Sequence, residues 1–141
     1  MPEFGGQASV EERGVSKYVV GAPELDVEIG FTTQAFDLDE TFKAYESAGV
    51  QESLVILIEE REVRWFRRIE GQFSLVATDP DGLFRSSVFP GLWLDPKALL
   101  ERDAARLVAT VLQGTETPEH AAFVARLAEV RTTSSQPEVQ E

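Results

Sequence analysis

The sequence predicts one small α/β domain, and three patterns lead to this fold class. Residues 25–31 alternate between apolar and mostly charged or polar side chains, as in a β-strand with two different faces. Residues 37–48 have the apolar spacing of an amphipathic helix, which Gly49 would end. Residues 54–58 are all aliphatic, which is typical of a central strand covered on both faces.

The remaining elements complete an α/β arrangement of a size that suits a single domain, since the chain has 141 residues. A turn residue, Gly71, separates two strand-like segments and so predicts a hairpin. In chain order, we predict hairpin strands over residues 63–69 and 72–77, a strand over 84–89, and two C-terminal helices, over 103–112 and from Pro118 onward.

Composition also suggests where the domain begins and ends. Residues 1–16 contain Gly5 and Gly6 and little apolar periodicity, so we expect an irregular N-terminal segment. The folded domain is expected to cover residues 17–130. The polar residues 131–141 are expected to form a disordered tail.

Several classes of protein are excluded by composition. The chain has no cysteine, which rules out disulfides and thiolate metal sites, and its single histidine, His120, rules out a multi-histidine zinc site within one chain. The longest aliphatic run, residues 54–58, is far too short to span a bilayer. With no signal peptide visible, we expect a protein of the reducing cytoplasm that does not enter membranes.

The charge is strongly acidic and unevenly distributed. The formal net charge is −12. Residues 1–60 contain 13 acidic and 3 basic side chains, whereas residues 61–141 contain 12 and 10. Because an acidic protein repels phosphate, this argues against avid, non-specific nucleic-acid binding. It does not exclude a site in which bound cations offset the carboxylates.

The most suggestive chemical feature is the acidic face of the strand over residues 25–31. Glu24, Asp26 and Glu28 follow one another at a spacing of two, so their side chains leave the strand on one side. Clustered carboxylates suit Mg²⁺, which prefers oxygen ligands. A solvated strand face has the same pattern, and the pattern alone favours that simpler interpretation.

Other candidates have simpler interpretations as well. His120 falls in the first turn of the last predicted helix, where a packing or surface role is more common than catalysis. Trp65, Phe66 and Trp93 are candidates for a platform on which bases stack, but aromatic residues on strands more often belong to the core.

The order of several motifs resembles a known family. The run Gly-Ala-Pro-Glu-Leu-Asp-Val-Glu-Ile at residues 21–29 is followed by Asp37-Leu38, by Tyr45 and by Ala-Gly-Val-Gln-Glu at residues 48–52. This series resembles the Uma-two family of restriction endonucleases in the PD-(D/E)xK superfamily. The resemblance extends from about residue 18 to residue 127, and further matching motifs lie at residues 65–66, 81–82, 85–86, 88–94 and 118–123.

The resemblance implies a restriction-endonuclease-like core, in which a mixed sheet is flanked by helices. It also implies DNA as the substrate and a metal site made from an early Asp, a strand Glu and a Lys. Glu28 matches the strand Glu, so the resemblance makes it a catalytic residue and a ligand to Mg²⁺ or Mn²⁺.

This chain departs from the family pattern at two of the three site positions. The early Asp would fall before Met1, so we expect the fold to be N-terminally truncated. The position of the helix Lys is occupied by Thr41, and Lys43 lies about 200° around the helix from it. Asp26 replaces an apolar strand residue, and we hypothesise that it acts with Glu28 as a substitute catalytic residue and metal ligand.

Three functions follow from these observations. The first is metal-dependent hydrolysis of DNA phosphodiesters. The second, favoured by Thr41 and the missing Asp, is a degenerate family member without catalysis that acts as a structural or dimerisation module. The third, an unrelated binding module, is disfavoured by the ordered motifs. Loss of the N-terminal elements would expose apolar faces of residues 54–58, so we also expect a homodimer or poor solubility.

Overall fold

The fold is a mixed α and β arrangement built around one four-stranded sheet. The computed structural model of the chain describes residues 5–33 and 38–134. Its elements are β1 (Ser9–Arg13), β2 (Ser16–Val20), β3 (Leu25–Gly30), α1 (Leu38–Ala48), β4 (Glu52–Leu57), β5 (Glu62–Ile69), β6 (Gln72–Val76), β7 (Phe84–Arg85), β8 (Trp93–Leu94), α2 (Pro96–Glu101), α3 (Ala104–Thr115) and α4 (Pro118–Ser134).

The main sheet has the order β3-β4-β5-β6 and is mixed. β3 runs parallel to β4 with Leu25 opposite Glu52, while the β4–β5 and β5–β6 pairs are antiparallel. Parallel neighbours need a long crossover, and α1 provides it. Gly49 ends α1 in a left-handed conformation (φ +96°), and its N–H bonds the carbonyl of Tyr45 at 3.0 Å. The predicted mixed sheet with flanking helices is confirmed.

The two faces of the sheet have different partners. On one face Phe42 of α1 packs edge-on against Phe66 of β5, with ring centroids 4.6 Å apart. On the other face Leu54, Trp65 and Phe84 form the main buried apolar cluster. Trp65 is only 1% exposed, so the core interpretation of this aromatic residue is correct and it is not a surface for stacking bases.

The C-terminal helices are held against the β7–β8 ribbon by a close backbone contact. A Cβ atom added to Gly114 of α3 would lie 2.1 Å from the carbonyl oxygen of Gly91, which adopts a φ of +97°. Only glycine permits this approach at both positions. Beside it, His120 donates its Nδ1–H to the carbonyl of Pro90 at 2.8 Å, which is the packing role that the sequence favoured.

A buried carboxylate joins the sheet to the β7–β8 ribbon. Glu52 is fully buried, and its oxygens accept hydrogen bonds from the Ser86 hydroxyl (2.6 Å), the Ser87 hydroxyl (2.7 Å) and the Ser87 N–H (2.8 Å). Arg67 Nε completes the set at 3.2 Å. A buried charge is tolerated only when it is paired and hydrogen-bonded in this way.

Several expectations about the ends of the domain are corrected. The segment over residues 1–16, expected to be irregular, contains β1, which pairs with β2. The strand expected over residues 84–89 is limited to Phe84–Arg85, and α2 was not predicted. α4 continues to Ser134, past the expected start of the tail. The expected helix start at Asp37 lies outside the described residues.

The expected exposure of residues 54–58 is wrong for most of the segment. Leu54, Val55 and Leu57 are buried, because β4 is an interior strand with a neighbour on each side. Ile58, at the end of the segment, is 45% exposed, and on the end strand β3 Val27 is 50% and Ile29 64% exposed.

Replacing Glu52→Ala is expected to lower the free energy of unfolding by about 3 kcal/mol, because Arg67 and both serines lose their common partner. Urea denaturation followed by Trp fluorescence measures this. The matched substitution Glu59→Ala, at an exposed position, should change stability by less than about 0.5 kcal/mol. Equal effects of the two substitutions would contradict the proposed importance of this network.

Candidate functional site

The pleat of β3 brings two of the sequence-predicted site residues together. Asp26 and Glu28 are two residues apart and therefore project from the same face of the sheet. This is the face that carries α1, because the hydroxyl of Tyr45 donates a hydrogen bond to Glu28 Oε1. Val27 and Ile29 project from the opposite face. The hypothesis that both carboxylates lie on one side thus agrees with the structure.

Glu28 is held by a neutral donor. The donor is the hydroxyl of Tyr45. The hydrogen bond to Glu28 is the main cause that raises the pKa of this phenol, followed by burial and by the negative charges of Asp26 and Glu28. The phenol therefore stays protonated at neutral pH and keeps donating to the carboxylate. One oxygen of Glu28 is oriented in this way by α1.

Asp26 is the carboxylate of the pair whose ionised form is disfavoured by its surroundings. Burial raises the pKa of its carboxyl group, and the charge of Glu28 raises it further. The neighbouring Ser53 hydroxyl and Val27 N–H offset part of this rise. Asp26 Oδ2 and the neighbouring Ser53 Oγ are both buried, and within the described part of the chain neither makes a hydrogen bond of standard geometry. Such an atom is costly unless something positive or a donor reaches it.

These two carboxylates fit one side of a divalent-metal site. An unpartnered, partly desolvated carboxylate oxygen next to a second carboxylate is the donor set that a hard cation uses. Across residues 5–33 and 38–134, no group of three or more Asp, Glu, His or Cys residues is arranged to hold a metal. Mg²⁺ commonly takes one or two protein carboxylates and fills its other positions with water and substrate phosphate.

The third member of the acidic face is engaged elsewhere. Glu24 Oε1 accepts a hydrogen bond from the backbone N–H of Gln7 at 3.1 Å. This bond ties the start of β3 to the segment before β1. Glu24 therefore serves as an anchor for the N-terminal segment and is not grouped with the Asp26–Glu28 pair.

The position at which the resemblance implies a Lys carries no charge. Thr41 lies half-buried in α1, and Lys43 is exposed, as the helical geometry predicts for a residue on a different side. Arg64 of β5 is a cation on the same face of the sheet as Glu28. It pairs with Val55, which pairs with Glu28, and its guanidinium bonds Glu62 at 2.6 Å.

Tyr45 is the contact that sequence reasoning missed. Together with Leu38 and Phe42, Tyr45 belongs to the apolar face of the helix predicted over residues 37–48. This interpretation is correct for the ring but gives no partner for the hydroxyl. A tyrosine with a half-buried ring commonly finds a hydrogen-bond partner for its hydroxyl, and this was the available signal.

The mixed sheet with its helical crossover is consistent with a restriction-endonuclease-like α/β fold. Residues 6–97 match the model of the Uma2 family, which is described as "Putative restriction endonuclease". The match covers more than half of the chain, and the chain belongs to this family. A comparison with curated proteins found no match. In the described residues no helix has both the length and the apolar character needed to cross a membrane.

The raised pKa of Asp26 has a consequence for stability. Folding favours the protonated form, so the ionised carboxyl opposes folding at pH values above its folded pKa. Asp26→Asn is therefore expected to raise the free energy of unfolding at pH 7. The stability difference between Asp26→Asn and the unaltered protein should shrink as the pH falls through the acid range, because there the Asp26 carboxyl of the unaltered protein becomes protonated and uncharged.

Urea titrations of both proteins between pH 3 and pH 7 measure this difference, with Glu59→Gln as the exposed control. A destabilised Asp26→Asn variant at pH 7, or a gain that does not depend on pH, would contradict the assigned environment.

The contact between Tyr45 and Glu28 is expected to contribute about 1 kcal/mol, the scale of a charge-assisted hydrogen bond that is only partly buried. A double-mutant cycle with Tyr45→Phe and Glu28→Gln isolates it. The two single substitutions should not be additive. Additive losses would mean that this hydrogen bond makes no net contribution.

Proposed function

We propose that this protein hydrolyses DNA phosphodiesters with the help of Mg²⁺ or Mn²⁺ and that Asp26 and Glu28 hold the cation. The observation that carries the proposal is the buried, unpartnered oxygen of Asp26 beside the oriented carboxylate of Glu28. Membership of a family described as "Putative restriction endonuclease" supports hydrolysis as the reaction class and DNA as the substrate class. The absence of cysteine fits the reducing cytoplasm, where such a substrate is found.

Each residue has a separate task in this proposal. Asp26 offers the oxygen that lacks a partner, and Glu28 offers the carboxylate that Tyr45 keeps in one orientation. When bound, a divalent cation supplies positive charge for the phosphate oxygens and lowers the pKa of a coordinated water. The carboxylates repel phosphate in the absence of a cation, so DNA binding at this face should require the metal.

A second candidate is a family member that keeps the fold and the metal-binding face but not catalysis. Thr41 favours it, because a neutral side chain occupies the position of the family's Lys. A threonine cannot supply positive charge to the scissile phosphate or assist the attacking water as a lysine does. Both candidates predict that the protein binds a divalent metal, but only the first predicts that it cleaves DNA.

Two measurements together test the proposal. Titration calorimetry with Mn²⁺ should show saturable binding that weakens at least about tenfold in Asp26→Asn and Glu28→Gln, because each loses a charged ligand. The exposed control Glu59→Gln should bind like the unaltered protein. Nicking of supercoiled plasmid in Mn²⁺ should be reduced in Asp26→Asn, abolished in Glu28→Gln and unchanged in Glu59→Gln.

The outcomes separate the candidates. Mn²⁺ binding that depends on Asp26 and Glu28, without nicking by any of the proteins, identifies the non-catalytic family member. No saturable Mn²⁺ binding to the unaltered protein would overturn the proposed site. Nicking that persists in Glu28→Gln would place catalysis elsewhere in the chain.

A further inference from the structure

The outer edge of β3 has no strand partner within the described residues. β3 pairs with β4 alone, through the backbone of alternate residues. The carbonyls of Glu24 and Gly30 accept the N–H groups of Glu52 (3.0 Å) and Ile58 (2.9 Å). Because the direction of the backbone groups alternates along a strand, those of Val27 and Ile29 point away from β4. This edge therefore offers a template for another strand.

The side chains along this edge form two chemically distinct rows. Asp26 and Glu28 make an acidic row on one face, and the half-exposed Val27 and the more exposed Ile29 make an apolar row on the other. Val27 of the apolar row lines a groove of about 450 Å³ whose lining is almost wholly apolar, whereas Ile29 lines a second pocket together with Ile56 and Ile58. Val108 and Leu112 of α3, both more than half exposed, line the same groove as Val27.

We propose that the edge of β3 binds an extended segment of a partner protein in which basic and apolar residues alternate. Such a segment would pair its backbone with Val27 and Ile29. It would place Lys or Arg side chains beside Asp26 and Glu28 and insert its apolar side chains into the groove. Strand addition of this kind takes affinity from the backbone pairing and specificity from alternate side chains. The proposal does not depend on nuclease activity.

The charges on the edge argue against a second copy of this chain as the occupant. An antiparallel pair of β3 strands centred on Val27 would set Asp26 of each copy opposite Glu28 of the other. Like charges directly opposite one another destabilise a strand pair, and each chain also carries a formal net charge of −12. A partner strand with Lys or Arg at alternate positions would place positive charges opposite Asp26 and Glu28, so the repulsion would be replaced by attraction.

The test uses two fluorescein-labelled peptides of equal composition and the full chain. One peptide repeats Lys-Val four times, and the other has four Lys residues followed by four Val residues. The alternating peptide should bind at least tenfold more tightly, because only its extended form presents the two kinds of side chain to opposite faces. Equal binding of the two peptides would reduce the effect to general attraction to an acidic protein and overturn the proposal.

Variants identify the surface. The double substitution Asp26→Asn with Glu28→Gln should weaken the alternating peptide at least tenfold, whereas Glu59→Gln with Glu70→Gln, a pair of exposed acids elsewhere, should change binding less than twofold. Leu112→Lys, at an exposed position on α3, should also weaken binding at least tenfold. Unchanged binding of the first or the third variant contradicts the assigned surface.

Amide hydrogen exchange tests the backbone pairing directly. The amides of Val27 and Ile29 should gain protection when the alternating peptide is bound, while those of Asp26 and Glu28, which face β4, should be protected already. Binding without protection of Val27 and Ile29 overturns strand addition. Protection of these amides in the free chain, together with a dimer in sedimentation, would make a second copy the occupant and also overturn the proposal.

Discussion

The parallel pairing of β3 with β4 is the constraint on which the rest of the structure depends. Its register, with Leu25 opposite Glu52, decides which side chains face α1 and which face the apolar groove. A slip of one residue would exchange the two rows, burying Val27 and Ile29 under α1 and turning Asp26 and Glu28 toward the groove. The crossover through α1 fixes this register and also delivers Tyr45 to Glu28.

Two carboxylates of this fold differ in how fully their oxygens are hydrogen-bonded. Glu52 is fully buried, but four hydrogen bonds from the ribbon and from Arg67 satisfy it, so it holds the structure together. Asp26 is less buried and yet keeps an oxygen without a partner beside a like charge. Other buried atoms, such as Trp65 Nε1 and Arg68 Nε, also lack a hydrogen-bond partner among the described residues, so Asp26 is distinguished by the second carboxylate beside it.

Local patterns in the sequence predicted much of the fold, and long-range contacts limited the rest. Strict alternation identified β3 and the shared face of Asp26 and Glu28, and the aliphatic run identified β4. α2 was missed although Asp95 and Pro96 are an N-cap and a first-turn proline, because six residues give too short a periodic pattern. The partners of Tyr45 and Glu52 were not predictable, since each comes from an element distant in the chain.

We propose that Asp26 and Glu28 together bind a divalent cation. The most direct test is anomalous X-ray scattering from crystals grown with Mn²⁺, recorded near the manganese absorption edge. One anomalous peak is expected within coordination distance, about 2.2 Å, of a carboxylate oxygen from each residue. A fully occupied manganese elsewhere, with both side chains directed into solvent, would contradict it.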